Sequence, residues 1–164
     1  MISLVLGGAR SGKSALAERL CRGMVTYVAT AVVRDDDMAA RVAAHRDRRP
    51  QAWALVEAGP GEVVAAVESA PGTVLLDGLT TWVAEAHRFE VDVDALCRAL
   101  AGRGSDAVVV SDEVGLGVHP SSEAGRRFRD ALGQVNRQVA DLADRVLLVV
   151  AGRVLPLERL DGGA

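Results

Sequence analysis

A short apolar run, Ile2-Ser3-Leu4-Val5-Leu6, ends in Gly7, and four residues later Gly12, Lys13 and Ser14 open a helical pattern. Strand, glycine turn and helix with the spacing Gly-x-x-x-x-Gly-Lys-Ser make a phosphate-binding P-loop. Gly7 and Gly12 let the backbone bend and approach a phosphate chain with no Cβ in the way. The N–H groups of the intervening Gly8, Ala9, Arg10 and Ser11 can then point inward as an anion nest. The helix behind them adds its positive N-terminal end. In such a loop Lys13 reaches the β- and γ-phosphates and the Ser14 hydroxyl ligates Mg²⁺.

Charge usage sharpens this reading. The chain carries 19 basic residues, and Lys13 is its only lysine. Arginine serves everywhere else, so a compact, rotatable ammonium stands at the one position where a point charge on phosphate is wanted. The net charge of −3 leaves no basic surplus to neutralise a nucleic-acid backbone. Cys21 and Cys97 lie in helical patterns without metal-ligand spacing and read as small core residues in a reducing compartment. The chain enters its first strand directly, with no leader pattern and no apolar run of transmembrane length. A soluble, cytoplasmic protein that binds no nucleic acid is expected, as a single domain over residues 1–164.

Along the chain, strand and helix patterns alternate. Strands are predicted at Ser3–Leu6, Val25–Thr30, Ala52–Val56, Thr73–Leu76, Ala107–Ser111 and Val146–Val150, those at Ser3–Leu6, Thr73–Leu76 and Ala107–Ser111 buried, with Arg153–Leu157 as a hairpin edge. Helices are predicted at Ser14–Arg22, Asp35–Asp47, Gly61–Ser69, Leu79–Arg88, Val93–Ala101 and from the Ser122 cap to about Asp144. Continuous apolar strands separated by helices imply an α/β fold with a mainly parallel central sheet covered on both faces. Ligands of such a sheet bind at the carboxyl ends of its strands.

Several residues gather at those ends. Asp77 follows Val74-Leu75-Leu76, the placement of a P-loop protein's metal-binding acid, although acids after strands also cap helices. Thr30 suits either a phosphate contact or a cap. His45-Arg46-Asp47-Arg48-Arg49 is either a helix end with dipole-favoured cations or a nucleophilic imidazole beside phosphate-binding guanidiniums. Asp112 and Glu113 could touch metal or a substrate hydroxyl, or could cap the Gly115–Pro120 loop. Trp82 and that loop could line a substrate site or simply pack.

Taken together, the motifs resemble one family. They are Gly7-Gly8-Ala9-Arg10-Ser11-Gly12-Lys13-Ser14, Tyr27-Val28-Ala29-Thr30, Asp36-Asp37-Met38-Ala39-Ala40-Arg41-Val42, His45-Arg46-Asp47-Arg48-Arg49-Pro50, Leu76-Asp77-Gly78-Leu79-Thr80-Thr81-Trp82-Val83, Asp112-Glu113-Val114-Gly115-Leu116-Gly117-Val118, and Arg126-Arg127-Phe128-Arg129-Asp130 with Gly133-Gln134-Val135-Asn136. In this order, over nearly the whole chain, they resemble the bifunctional adenosylcobinamide kinase/adenosylcobinamide-phosphate guanylyltransferases of cobalamin biosynthesis. The resemblance implies a RecA-like P-loop NTPase fold and a propeller-shaped homotrimer. It implies phosphorylation of adenosylcobinamide with GTP or ATP, then transfer of GMP from GTP to the phosphate through a guanylylated histidine, which here is His45. It further implies nucleotide contacts from Gly7 to Ser14, from Val28, Ala29 and Thr30, from Arg46, Asp47, Arg48 and Arg49, and from Glu57 and Asp77. Lys13 and Asp77 join His45 as catalytic residues, and Ser14 and Asp77 hold Mg²⁺. Three positions depart from the family pattern: Asp112 replaces an asparagine, Ala31 a serine and Gly78 a cysteine. A small-alcohol kinase with a merely structural His45, and a GTP-binding regulatory switch, are the alternatives. Covalent labelling by GTP separates the first of these from the bifunctional enzyme.

Overall fold

The computed structural model describes residues 1–30 and 50–159. Within them the chain forms β1 (Ile2–Gly7), α1 (Lys13–Leu20), β2 (Val25–Ala29), β3 (Ala54–Glu57), α2 (Val63–Ser69), β4 (Thr73–Asp77), α3 (Leu79–Glu85), α4 (Val93–Ala101), β5 (Ala107–Asp112), α5 (Glu123–Leu142), β6 (Arg145–Val150) and β7 (Arg153–Leu157). The helix expected at Asp35–Asp47 lies outside the described residues.

The seven described strands form one sheet in the order β3-β2-β4-β5-β1-β6-β7. Every pair is parallel except β6 with β7. The P-loop strand β1 thus lies between β5 and β6, and β5 separates it from β4. Side chains alternate along each central strand. Leu4, Leu6, Val28, Val74, Leu76 and Val109 point to a core shared with α2 to α5. Val5, Val25, Tyr27, Leu75, Val108 and Val110 point to the opposite face, where Ala17 and Cys21 of the α1 region cover them. Burial on both faces explains why these strands read as unbroken apolar runs.

The short loop between β6 and β7 is a two-residue hairpin, with Val150 paired to Arg153 and positive φ at Ala151 and Gly152. Positive φ at both central residues matches the twist of the flanking strands. Expected boundaries move by one to three residues, as where Ala54–Glu57 replaces Ala52–Val56 and Lys13–Leu20 replaces Ser14–Arg22, and the largest shift is at α3. The helix predicted to run to Arg88 ends at Glu85, and the 87–89 segment makes a single 3₁₀ turn with Arg88 and Phe89 at φ 55° and 64°. Phe89 packs edge-on against Phe128 of α5, ring centroids 5.6 Å apart. That contact turns the chain where local propensity would continue it.

Candidate nucleotide site at the carboxyl end of the sheet

The P-loop is built by close approach. A Cβ on Gly7 would lie 2.6 Å from the Val149 carbonyl oxygen on β6 and 2.6 Å from Ser11 Oγ, so no larger residue fits. Gly12 stands at φ +101°, a left-handed conformation that L side chains rarely adopt, and α1 starts immediately after it. Arg10 also takes a left-handed φ, 58°, although it has a side chain. The buried Ser11 is held at both backbone groups. Its N–H donates to Gly8 O (3.3 Å), and its carbonyl accepts from Gly152 N of the β6–β7 turn (2.9 Å). No acidic residue lies in the first turn of α1, so its positive end is not compensated locally.

Lys13 folds back over this loop. Its Nζ donates to Gly8 O at 3.2 Å and lies 2.5 Å from Asp112 Oδ1 at the end of β5. Asp112 is itself anchored. Its N–H donates to Thr80 Oγ1 (2.9 Å), and its carbonyl accepts from the buried Asn136 Nδ2 of α5 (3.1 Å). The next residue, Glu113, donates its N–H to Gly7 O (3.2 Å), while its carboxylate accepts from Gly115 N (3.0 Å). Of the two adjacent acids, then, Asp112 joins the loop lysine and Glu113 caps its own turn.

Asp77 ends β4, in register with Ala29 of β2. Its Oδ2 accepts a hydrogen bond from Tyr27 Oη. Thr30 is buried, and its hydroxyl donates to Gly78 O (2.6 Å) and meets Thr81 Oγ1. That hydroxyl therefore ties the end of β2 to the turn after β4. Gly78 sits at φ +112°, and a Cβ there would also come within 2.9 Å of Thr30 Oγ1, so the Thr30–Thr81 pair fills the space beside this turn. Val28 is a core residue, whereas Ala29 and Glu57 come side by side at the ends of β2 and β3, with the Ala29 carbonyl accepting from Ala58 N (2.9 Å). Ser14 is half-buried in the first turn of α1, and Gly8, Ala9 and Arg10 are exposed. His45, Arg46, Asp47, Arg48, Arg49 and Ala31 lie outside the described residues. Trp82 is packing: it is 1% exposed and its Nε1 donates to Pro60 O at 2.8 Å. His119 is exposed within the Gly115–Pro120 loop and faces Arg129, with Nδ1 3.1 Å from Nη1.

The geometry thus presents a glycine loop, one ammonium and several carboxylates at one end of a parallel sheet. The sequence profile of the cobinamide kinase/cobinamide phosphate guanyltransferase family matches residues 3–157. The chain belongs to that family. It is 39% identical to the bifunctional adenosylcobalamin biosynthesis protein CobP of Pseudomonas aeruginosa, over 96% of this chain and 98% of the relative. To the proteins named CobU in Escherichia coli and Salmonella typhimurium it is 37% and 35% identical, over 93% of this chain and 97% of each relative. In fold it is similar to a solved type III secretion system ATPase of pathogenic bacteria, with TM-score 0.52 and 12% identity. That likeness covers 90% of this chain and 50% of the ATPase. The fold expected from the alternation of strands and helices, an α/β P-loop domain with a mostly parallel sheet, is the one found.

Besides the Lys13–Asp112 pair, the Tyr27–Asp77 and Asn136–Asp112 contacts are absent from the sequence reading. Tyr27 lies two residues before Ala29, the partner of Asp77, so period-two alternation puts it on the same face of the sheet. The pattern Leu132, Val135, Val139 likewise marked a buried stripe on α5, and Asn136 is the polar residue within it.

Proposed function

We propose that this family member carries out both reactions named for its family on adenosylcobinamide and its phosphate, in the cytoplasm and as a homotrimer, with His45 as the guanylylated residue. The observation that carries the reading is the family match from residue 3 to residue 157, which embraces both the loop and the His45 segment.

In the kinase step, the substrate hydroxyl oxygen attacks the γ-phosphorus of GTP or ATP. The bond to the β–γ bridging oxygen breaks, and the nucleoside diphosphate leaves. Little covalent chemistry is required of the protein, so positioning and charge stabilisation dominate. Lys13, the loop N–H groups and the positive end of α1 supply both. Asp77 is the carboxylate proposed to take the hydroxyl proton. Its contact with Tyr27 engages one of its two oxygens and fixes its direction. In the transfer step a neutral His45 ring nitrogen attacks the α-phosphorus of GTP and pyrophosphate departs. The phosphate of the first product then displaces the histidine, the N–P bond breaks, and adenosylcobinamide-GDP forms. Arg46, Arg48 and Arg49 beside His45 in sequence would bear on the triphosphate charge.

Magnesium suits the oxygen donors present. Ser14 and Asp77 offer a hydroxyl and a carboxylate, and no group of three or more potential ligands assembles among the described residues. Magnesium commonly keeps several waters and uses only one or two protein ligands beside substrate phosphates. When bound, it would neutralise part of the phosphate charge.

The test is incubation with magnesium and GTP labelled at the α-phosphorus, followed by denaturing electrophoresis. Acid-labile, base-stable label on the wild-type chain, absent from His45→Ala, is expected. An unlabelled wild type that still phosphorylates cobinamide would reduce the function to the kinase reaction. An inert protein would favour a nucleotide-binding switch.

A further inference from the structure

The loop lysine is already occupied by an anion belonging to the protein. The Lys13 and Asp112 side chains are only 15% and 29% exposed, with 2.5 Å between Nζ and Oδ1. A half-buried pair at this distance is screened far less than a surface pair. The carboxylate is also held at its station. Thr80 and Asn136 grip both backbone groups of Asp112, and Glu113 is hydrogen-bonded to Gly7 at the mouth of the loop. Register sets Asp112 directly opposite Gly7, so β5 delivers this charge to the loop by strand pairing. The buried Asn136 is a polar residue on an otherwise apolar helix face, and its amide is engaged in that placement.

From this geometry we infer that Asp112 is a specificity-determining counter-ion, which competes with nucleotide phosphates for Lys13 and makes the loop discriminate against metal-free polyphosphate. The inference rests on reading the P-loop as the nucleotide site. A polyphosphate entering the loop must take Lys13 from Asp112, and its charge then faces a carboxylate that the backbone contacts do not release. A free triphosphate carries more negative charge than its magnesium complex and is repelled more strongly. Departure of the phosphates lets the carboxylate recapture the ammonium, which favours release of anionic products. Asp112 is thus a positioning and selectivity residue for the known reactions. It need not touch the reacting atoms.

The experiment is calorimetric titration of GTP into the His45→Ala chain, which cannot take up GMP in the proposed reaction, and into the same chain carrying D112N or D112S, with EDTA and separately with magnesium, and with melting curves to verify folding. D112N keeps the shape and both backbone contacts while removing the charge, and D112S is the second variant. Affinity for metal-free GTP is expected to rise about tenfold in both variants, the scale of one partly buried charge interaction. The gain for magnesium-GTP is expected to be clearly smaller, so the variants lose discrimination. A purely architectural residue would produce a loss. Unchanged or weaker metal-free binding in folded variants, or an equal gain with and without magnesium, overturns the inference. Absence of GTP binding in every protein would instead overturn the reading of the loop.

Discussion

A Cβ at Gly7 would stand 2.6 Å from the Val149 carbonyl oxygen, and a strand carbonyl cannot rotate away as a side chain could. Gly7→Ala is therefore expected to lose about 1–3 kcal/mol of stability, the usual range for forced overpacking, read from urea unfolding. Arg10 presents the opposite case within the same loop. Its φ of 58° costs a side-chain-bearing residue about 1–2 kcal/mol. Arg10→Gly relieves that strain while loosening the unfolded chain, so its stability is expected to stay within about 1 kcal/mol of wild type. Any fall in nucleotide affinity would then report the guanidinium itself. At this scale the sequence was informative about residue types and silent about partners. Gly7, Gly12 and Lys13 announced a loop through spacing alone. The Lys13–Asp112 pair depends on β5 lying beside β1, and strand order is not written in hydrophobic pattern.

Elements were legible where burial was two-sided. β1, β4 and β5 appear as unbroken apolar runs because both faces are covered, and the Ser122 cap of α5 is present as read, its Oγ accepting from Gly125 N at 3.0 Å. Misjudged ends have tertiary causes, as at α3, where the Phe89–Phe128 contact outweighs propensity. The end of α2 is finished from a distance as well. Arg103, after α4, donates to the carbonyls of Val67, Ala70 and Gly72, the last two at 2.9 and 2.6 Å. One planar guanidinium closes the C-terminal end of a helix 33 residues away from it in sequence, counted from Ala70. Arg103→Ala should take this donor from the Val67 and Ala70 carbonyls, while Gly72 O keeps the Ser105 hydroxyl, and cost about 1–3 kcal/mol. Arg103→Lys should restore little of it, because a single ammonium cannot reproduce the fork. Thermal and urea unfolding of both variants test the point, with activity per folded molecule expected to change little.

On the scale of the whole molecule, the sheet divides the apolar side chains into two layers, and the thinner layer carries a titratable group. Cys21 is buried beneath α1, and burial, with the nearby Glu18 charge adding to it, pushes its thiol from 9.0 up to about 12. A folded-state value above the unfolded one means that the associated stability is fully present below pH about 9. It is lost as the pH climbs toward the folded value of about 12. Stability measured by urea unfolding is therefore expected to decline from pH 9 upward, and Cys21→Ala should flatten that decline. An unchanged slope would show that other groups set the alkaline limit. The native thiol should also react slowly with exposed-thiol reagents at neutral pH, since little thiolate forms and the site is buried.

The β6–β7 hairpin has the outward form of a place where a chain can be altered. Tight, exposed tips far along the sequence from a binding loop are ordinarily where inserted segments and new termini are tolerated. Here the tip amide of Gly152 is hydrogen-bonded to Ser11 O, inside the P-loop itself. The sheet's outer edge and the phosphate loop are consequently one mechanical unit. An insertion between Ala151 and Gly152 would act as a change to nucleotide binding, however peripheral it looked, and a harmless graft would have to be sited elsewhere.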